Sequence, residues 1–542
     1  MDIVRAVSML LMITSLCWLL GCGQSAEQYP EDVARISIYL DTEPPSLNTI
    51  TSEDNTSYHI LDHVTEGLLV YDLNHQLAPG VAHSWEFKSP TTVIFHLRQD
   101  ALWSDGSPVT AHDFVFAWQQ AVNPEVGSGY AYIMYPVKNG EAINSGHLPL
   151  DSLGVEAVNN HTLTVELEQP TPYFLSLTAF SVYRPIKQSF YDLQGQRYAA
   201  DKDNLLYNGP FVISRWTHGA EMLLDKNPQY WNRQAIAIDQ IAYPYFTNDP
   251  QTTLNLYRDG KVHMADIGEQ GIKTALAERY NIRTKEPGQI QLLGFNLKPE
   301  RVTSNLALRR AIRAIINTQE ITNRVFAKAG SEPAASLFPN WIRRHFMEGF
   351  SLYQPTHLDQ ASINALLAKA DAELPGNGIP AISFLTDDKA SNAKFAEYLQ
   401  QQFADRLGLE LKISRQTFKQ LLAQSNAGDY DIVSGSWAPD YDDPLAYAEL
   451  LINKYEDGSR IFANSDVDRA FAIASASDHP ATRNAAFREL HRIVVDQIPY
   501  IPYIATGGTR FALYVQSTSL SGVRRSNIAG DPNFNYARIQ TP

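Results

Sequence analysis

Three carboxylates fall within four residues in the run Trp437-Ala438-Pro439-Asp440-Tyr441-Asp442-Asp443. A carboxylate in a cleft that closes and loses water becomes a strong receptor for an ammonium group, because a charge-assisted hydrogen bond strengthens as the local dielectric falls. Neighbouring carboxylates can also share acid and base work in glycoside cleavage, and on an open surface the same run is a solvated acidic turn. His59 and His63 stand four apart on a helix predicted from Tyr58 to Leu69, the spacing that puts two imidazoles on one face and can seat a metal. With no third ligand nearby, they read as ordinary surface or interface histidines. Arg309, Arg310 and Arg313 lie opposite Leu308, Ile312, Ile315 and Ile316, which predicts a solvated helix face or a docking surface. Phosphate-loop, nucleophile-elbow and zinc-helix signatures are absent, so no catalytic residue, metal or cofactor is assigned.

The elements around these residues say which reading has a place to work. From residue 381 strands and helices alternate: Ala381 to Leu385 as a strand, then a helix from Ser391 with Phe395, Tyr398, Leu399, Phe403 and Leu407 on one face, ended by Gly408. Leu409, Leu411 and Ile413 alternate as a strand, Phe418 to Leu422 form a short helix, and Tyr430 to Ser434 form the next strand. This βαβαβ order predicts a largely parallel sheet. Ligands of such sheets sit outside the carboxyl ends of the strands, which points to Gly435 to Pro444 and singles out Asp440. The N-terminal half is strand-rich, with alternation at Arg35 to Leu40, Thr92 to Leu97 and Thr162 to Leu167. Between them, Asp105-Gly106-Ser107-Pro108 is a turn, Thr110 and Asp113 form a helix cap, and Phe114, Val115, Trp118 and Val122 recur at helical spacing until Asn123-Pro124.

Composition and termini narrow the compartment. Arg5 precedes the apolar run Ala6 to Leu20, the length of a signal-peptide core and too short for a permanent membrane span. The run ends in Leu19-Leu20-Gly21-Cys22, which has the look of a lipobox with Cys22 as the lipidated residue. Cys17 and Cys22 are the two cysteines of the chain, so a chain beginning at Cys22 has no internal disulfide. The net charge of −15 argues against nucleic acid, whose phosphates demand a basic face. Aromatic residues make up 11% of the 542 residues, including eight Trp, which suits a chain that lines a cavity with rings.

Residues 102 to 118 closely resemble a signature of the bacterial family 5 extracellular solute-binding proteins, the peptide-binding components of ABC importers. Asp41-Thr-Glu-Pro-Pro-Ser-Leu-Asn48, Glu66-Gly-Leu-Leu-Val-Tyr-Asp72, Asn208-Gly-Pro-Phe211, Asn227-Pro-Gln-Tyr-Trp-Asn232 and Ser436-Trp-Ala-Pro-Asp-Tyr-Asp-Asp-Pro444 resemble the same family in the same order. The resemblance implies an α/β, two-lobed periplasmic-binding-protein type II-like fold with an additional domain. It implies a lipoprotein leader at 1–21, a linker at 22–30, lobe I at 31–75, 205–300 and 510–542, the additional domain at 76–204, and lobe II at 301–509. Asp440 would receive a peptide's α-amino group, Ser436 and Ala438 would pair main chain with an extended ligand beside Trp437, and Tyr130 would stand near the ligand's amino end.

Three positions depart from the family pattern. Ala438 replaces a cysteine that braces the loop in some relatives, so packing alone is expected to hold it. Ser434 and Asn392 stand where the resemblance implies cations for the ligand's carboxyl end. The implied partners are short peptides, the permease and ATPase subunits of an ABC importer, and a membrane reached through the lipid on Cys22. The protein is expected to be a monomer in the cell envelope, periplasmic or otherwise extracytoplasmic. The alternatives are a nickel chelate, haem, opine, oligosaccharide or murein peptide on the same fold, or a secreted glycosidase-like enzyme built on Asp440, Asp442 or Asp443.

Overall fold

The computed structural model describes residues 33–268, 271–285, 288–327, 330–352, 358–376, 378–439, 441–453, 455, 459–506, 513–525 and 532–540. The leader, Cys22 and Asp440 lie outside the described residues. In the N-terminal half, Ala82–Ser89, Thr92–Leu97, Thr162–Glu166 and Val155–Asn159 form an antiparallel sheet in that spatial order. Their alternation buries Val93, Phe95, Leu97, Leu163 and Val165 on one face. The helix Ala111–Val122 packs beside Val155–Asn159, and its start is the predicted cap: the Asp113 carboxylate accepts from the Thr110 N–H at 2.8 Å. Trp118 is fully buried and donates its indole N–H to the Tyr183 carbonyl at 2.9 Å.

A second four-stranded sheet holds Arg35–Ser37, Gln240–Tyr243, Glu221–Lys226 and Phe211–Thr217. The C-terminal strand Leu513–Gln516 returns to lie between Met264–Asp266 and Ile282–Thr284. The helix expected from Tyr58 to Leu69 instead spans Asn55–Val64. Asp54 caps it three residues early by accepting from Ser57 N–H at 2.9 Å, and Leu69 enters the strand Leu69–Tyr71. His59 and His63 are fully buried, not surface or interface side chains. His63 Nε2 accepts from Phe534 N–H at 3.0 Å, which leaves Nδ1–H to donate to the His59 carbonyl at 2.6 Å. Burial holds His63 down to about 3, so it stays neutral.

Three of the resembling motifs meet at Glu66. Its backbone N–H donates to Asn208 Oδ1 and its carbonyl accepts from Asn208 Nδ2, both at 2.9 Å. Its carboxyl accepts from the Tyr230 hydroxyl at 2.5 Å and the Trp231 indole at 2.7 Å. Arg98 lies 3.3 Å over the Trp231 ring. Gly209 is required here because a Cβ would stand 2.6 Å from the Thr65 nitrogen. Burial pushes the Glu66 carboxyl up to about 7, although Tyr230, Trp231, Arg98 and Arg184 all act to lower it.

The C-terminal half is built on a six-stranded sheet in the order Glu332–Pro333, Tyr500–Thr506, Gln289–Phe295, Ile432–Trp437, Ile382–Asp387, Leu411–Gln416. The predicted βαβαβ unit is present and parallel. The sheet as a whole is mixed, because Gln289–Phe295 runs antiparallel to both Ile432–Trp437 and Tyr500–Thr506. Those partners come from far along the chain, where local alternation carries no information about pairing. The helix Ala390–Gln402 passes into a π-helical turn, Phe403–Leu407, and Gly408 ends it with φ 65° as expected. Phe418–Ala427 starts where expected, behind a capping box of Thr417 and Gln420, and runs five residues further, to the left-handed stop at Gly428.

The arginines of Leu306–Ile315 are only in part the expected solvated face: Arg310 is exposed, Arg313 is half-buried and Arg309 is buried. Arg309 is 5% exposed and donates to the carbonyls of Thr303, Ser304 and Gln497 at 2.7, 2.7 and 2.8 Å. Arg310 and Arg313 reach the carbonyls of Asp496 and Val495. The three guanidiniums thus cover the last turn of the helix Pro480–Gln497, where unpaired carbonyls and the negative helix end favour cations. Arg309→Met is expected to lower the unfolding free energy by about 2–4 kcal/mol in urea titrations, against less than ~0.5 kcal/mol for exposed Arg310→Met.

A second prediction concerns Glu66. Its proton is held more tightly in the folded state, so its contribution to stability is present at low pH and is lost as pH rises from about 4.5 to about 7. The stability difference between wild type and Glu66→Gln is expected to move by about 3 kcal/mol against wild type over that window, read from urea unfolding at each pH.

Candidate functional site

The strand Ile382–Asp387 lies between Leu411–Gln416 and Ile432–Trp437 and is parallel to both. The chain leaves it for Leu411–Gln416 on one side, then crosses back through Phe418–Ala427 to Ile432–Trp437 on the other. Connections that depart in opposite directions open a crevice at the carboxyl ends of the two strands, between Ile382–Asp387 and Ile432–Trp437.

The register shows how the crevice is lined. Ile432 and Val433 pair with Phe384 and Leu385. From Ser434 to Trp437 the strand is paired on its other flank, with Leu293, Leu292, Gln291 and Ile290. No described strand pairs with the crevice flank of Ser434–Trp437. That flank is a short sheet edge at which an extended chain can add as a strand. The strand runs three residues further than the alternation at Tyr430 to Ser434 predicts, so Gly435, Ser436 and Trp437 lie within it rather than just past it.

Ser436 and Ala438 are exposed and Trp437 is half-buried. The Trp437 indole donates to the Ala446 carbonyl at 2.7 Å, which fixes the ring at the end of the strand. The loop that follows is not held by packing alone. Tyr441 is buried with its ring stacked on Tyr173 at a centroid distance of 5.3 Å, and its hydroxyl donates to Glu449 Oε1 at 2.6 Å. Asp443 is buried, and its Oδ1 accepts from Leu445 N–H at 2.9 Å and from Arg483 Nη2 at 2.7 Å. Ion pair, ring stack and indole bond therefore brace both sides of position 440.

Tyr130 sits in a separate aromatic cluster, 6.1 Å edge-on to Tyr58, 5.6 Å from Phe180 and stacked at 5.7 Å on Tyr132. The two positions without cations are filled by neutral groups. Ser434 is buried with its hydroxyl 3.1 Å from that of Tyr503. Asn392 donates to Asp387 Oδ1 at 2.6 Å. Asp387, at the carboxyl end of its strand, also accepts from Lys389 N–H at 3.2 Å, with Lys389 Nζ 3.4 Å from its other oxygen.

Asp387 was not singled out in the sequence, although the strand-end rule that picks Asp440 applies equally to Thr386-Asp387. No group of three or more His, Cys, Asp or Glu able to hold a metal occurs among the described residues. None of the described helices is long and apolar enough to cross a membrane.

The profile of the bacterial extracellular solute-binding proteins, family 5 Middle, matches residues 76–459. The chain belongs to this family. Among relatives of this solute-binding protein, the dipeptide-binding protein DppE of Bacillus subtilis is 27% identical over 499 residues, 89% of this chain and 90% of the other. The oligopeptide-binding protein OppA of the same organism is 27% identical over 96% of each chain. The substrate-binding domain of an oligopeptide ABC transporter from Bacillus anthracis superposes with a TM-score of 0.79 at 29% identity, covering 94% of this chain and 99% of that one. Listeria monocytogenes OppA bound to peptide gives 0.77 at 26% identity, with 94% and 99% covered. The two-lobed α/β fold of the family is therefore the fold of this chain, and the family is one of binding proteins.

Breaking the brace has a measurable consequence. Arg483→Met leaves the Asp443 carboxylate buried without its partner and is expected to cost about 3 kcal/mol of stability. Asp443→Asn with Arg483→Met is expected to cost less than the sum of the single changes by about 1–2 kcal/mol in a double-mutant cycle read by urea unfolding.

Proposed function

We propose that this solute-binding protein captures short peptides in the crevice between Ile382–Asp387 and Ile432–Trp437 and presents them to the permease and ATPase subunits of an ABC importer. The observation that carries this reading is the unpaired flank of Ser434–Trp437 at the topological switch point, directly ahead of Asp440. Main-chain pairing with Ser436 and Ala438 gives affinity without reading side chains, which suits a scavenger of mixed peptides. Asp440 takes the α-amino group, the Trp437 ring covers the ligand backbone, and Tyr130 closes on the amino end. The relatives named above bind dipeptides or oligopeptides, and the match to them along the whole chain supports the same ligand class here.

The domain reading follows the same line. Lobe I comprises 31–75, 205–300 and 510–542, the additional domain 76–204, and lobe II 301–509. Supporting it, Leu513–Gln516 pairs only with strands from 264 to 284 among the described residues. A core including Ile312, Phe384, Phe395, Ile432 and Tyr503 unites lobe II, and the strand Gln289–Phe295 pairs within that sheet, which draws the lobe boundary back from 300 to before residue 289. Lipid on Cys22 tethers the monomer to the envelope.

At the far end of the crevice Ser434 and Asn392 are neutral and Lys389 is committed to Asp387. Affinity therefore rests on the amino end. In calorimetric titrations with a panel of short peptides, Asp440→Asn and N-acetylation of the ligand are each expected to weaken binding about 100-fold. The two losses do not add, because they remove the same pair. Amidation of the ligand's carboxyl end is expected to change affinity less than about threefold. Equal affinity for free and acetylated peptides would rule out the assignment of Asp440.

A further inference from the structure

A cavity between the N-terminal half and the chain's C-terminal residues is lined by none of Asp387, Ser434, Ser436, Trp437, Ala438 or Tyr130. It encloses about 300 Å³ between the helix Asn55–Val64, the hairpin of Leu69–Tyr71 and Leu77–Pro79, the stretches 176–184 and 230–236, and Arg524, Asn533, Asn535 and Tyr536. Arg524 lines it and is 8% exposed. Its Nε and Nη1 meet no acceptor among the described residues. Its Nη2 stands 3.9 Å from Asp62 Oδ2. The other Asp62 oxygen is already taken by Arg184, which also donates to Thr65 Oγ1 at 2.9 Å.

A guanidinium withdrawn from water with its donors unmatched is costly. The group that matches planar N–H donors best is a carboxylate. Leu69, Pro79, Phe180, Ile236 and Tyr58 make the remaining wall largely apolar and aromatic. Asp62, Glu66 and Asp72 line the same space and disfavour a dianion such as phosphate more than a monoanion. The volume is at the small end of ligand pockets, enough for a single ring with a short substituent.

We propose that this cavity is a second ligand site, which takes a small organic monocarboxylate with an apolar or aromatic body, its carboxylate on Arg524 and its body against Leu69, Phe180 and Ile236. It operates whatever occupies the crevice.

The test uses the full-length protein saturated with trialanine, titrated with 4-bromobenzoate and crystallised in its presence. The expected result is an anomalous bromine peak in the cavity with the carboxylate at Arg524. Arg524→Met is expected to weaken 4-bromobenzoate at least about tenfold and to leave trialanine affinity unchanged, while the neutral 4-bromobenzyl alcohol binds no better to wild type than to the variant. Ala235→Trp, at the exposed rim of the cavity, is expected to block the probe with Arg524 in place, and decides the matter if Arg524→Met does not fold. Water alone in the cavity, bromine only in the crevice, or affinity indifferent to both variants would overturn the proposal.

Discussion

A buried carboxyl group with every partner drawn from a different stretch of chain is the constraint on which the N-terminal half depends. Glu66 accepts from Tyr230 and Trp231 through its side chain and exchanges two backbone bonds with Asn208. Asn227 closes the same knot by donating to the Gly209 carbonyl at 2.9 Å. Removed from water, each of these polar groups needs its partner, so they fix where the chain enters and leaves the region around residues 76 to 204. The short motifs that look like scattered family marks are in large part the members of this one network.

The C-terminal half solves a different problem. A sheet edge must stay open for a ligand while the residues around it hold still. The divergence of Ile382–Asp387 from Ile432–Trp437 after two paired residues opens the edge. The Asp443–Arg483 pair, the Tyr441 ring on Tyr173 and the Trp437 indole bond hold the loop beyond it. Of three carboxylates in the acidic run, Asp443 is thereby committed to structure, with a guanidinium and a helix-end N–H on the same oxygen. The run that looks uniform in sequence is divided into different tasks by its surroundings.

Much of this was legible from residue order. Thr110 and Asp113 cap a helix that Asn123-Pro124 ends, Gly408 terminates another, and the parallel unit from 382 to 437 follows from alternation, because each depends on interactions within a few residues. The strand-end rule then led to the crevice flanked by Ser436, Trp437 and Ala438. Misreadings arose where a residue's partner is remote. Arg309 sits on a helix face that local pattern calls polar, yet it is buried against the end of a helix nearly two hundred positions later. His59 and His63 read as surface or interface histidines, yet both are buried, with Tyr243 and Phe534 claiming their rings.

By itself, then, the sequence determined the repeating elements, their caps and stops, and the acidic run at the end of a parallel strand. These are set by backbone preferences and apolar period, which act over one or two turns. Only the tertiary structure decided that Gln289–Phe295 enters the sheet antiparallel beside Ile432–Trp437, and that Arg524 faces a cavity with Nε and Nη1 unmatched among the described residues. Pairing and burial of that kind depend on which distant surfaces the whole chain brings together, and no local pattern encodes the distance.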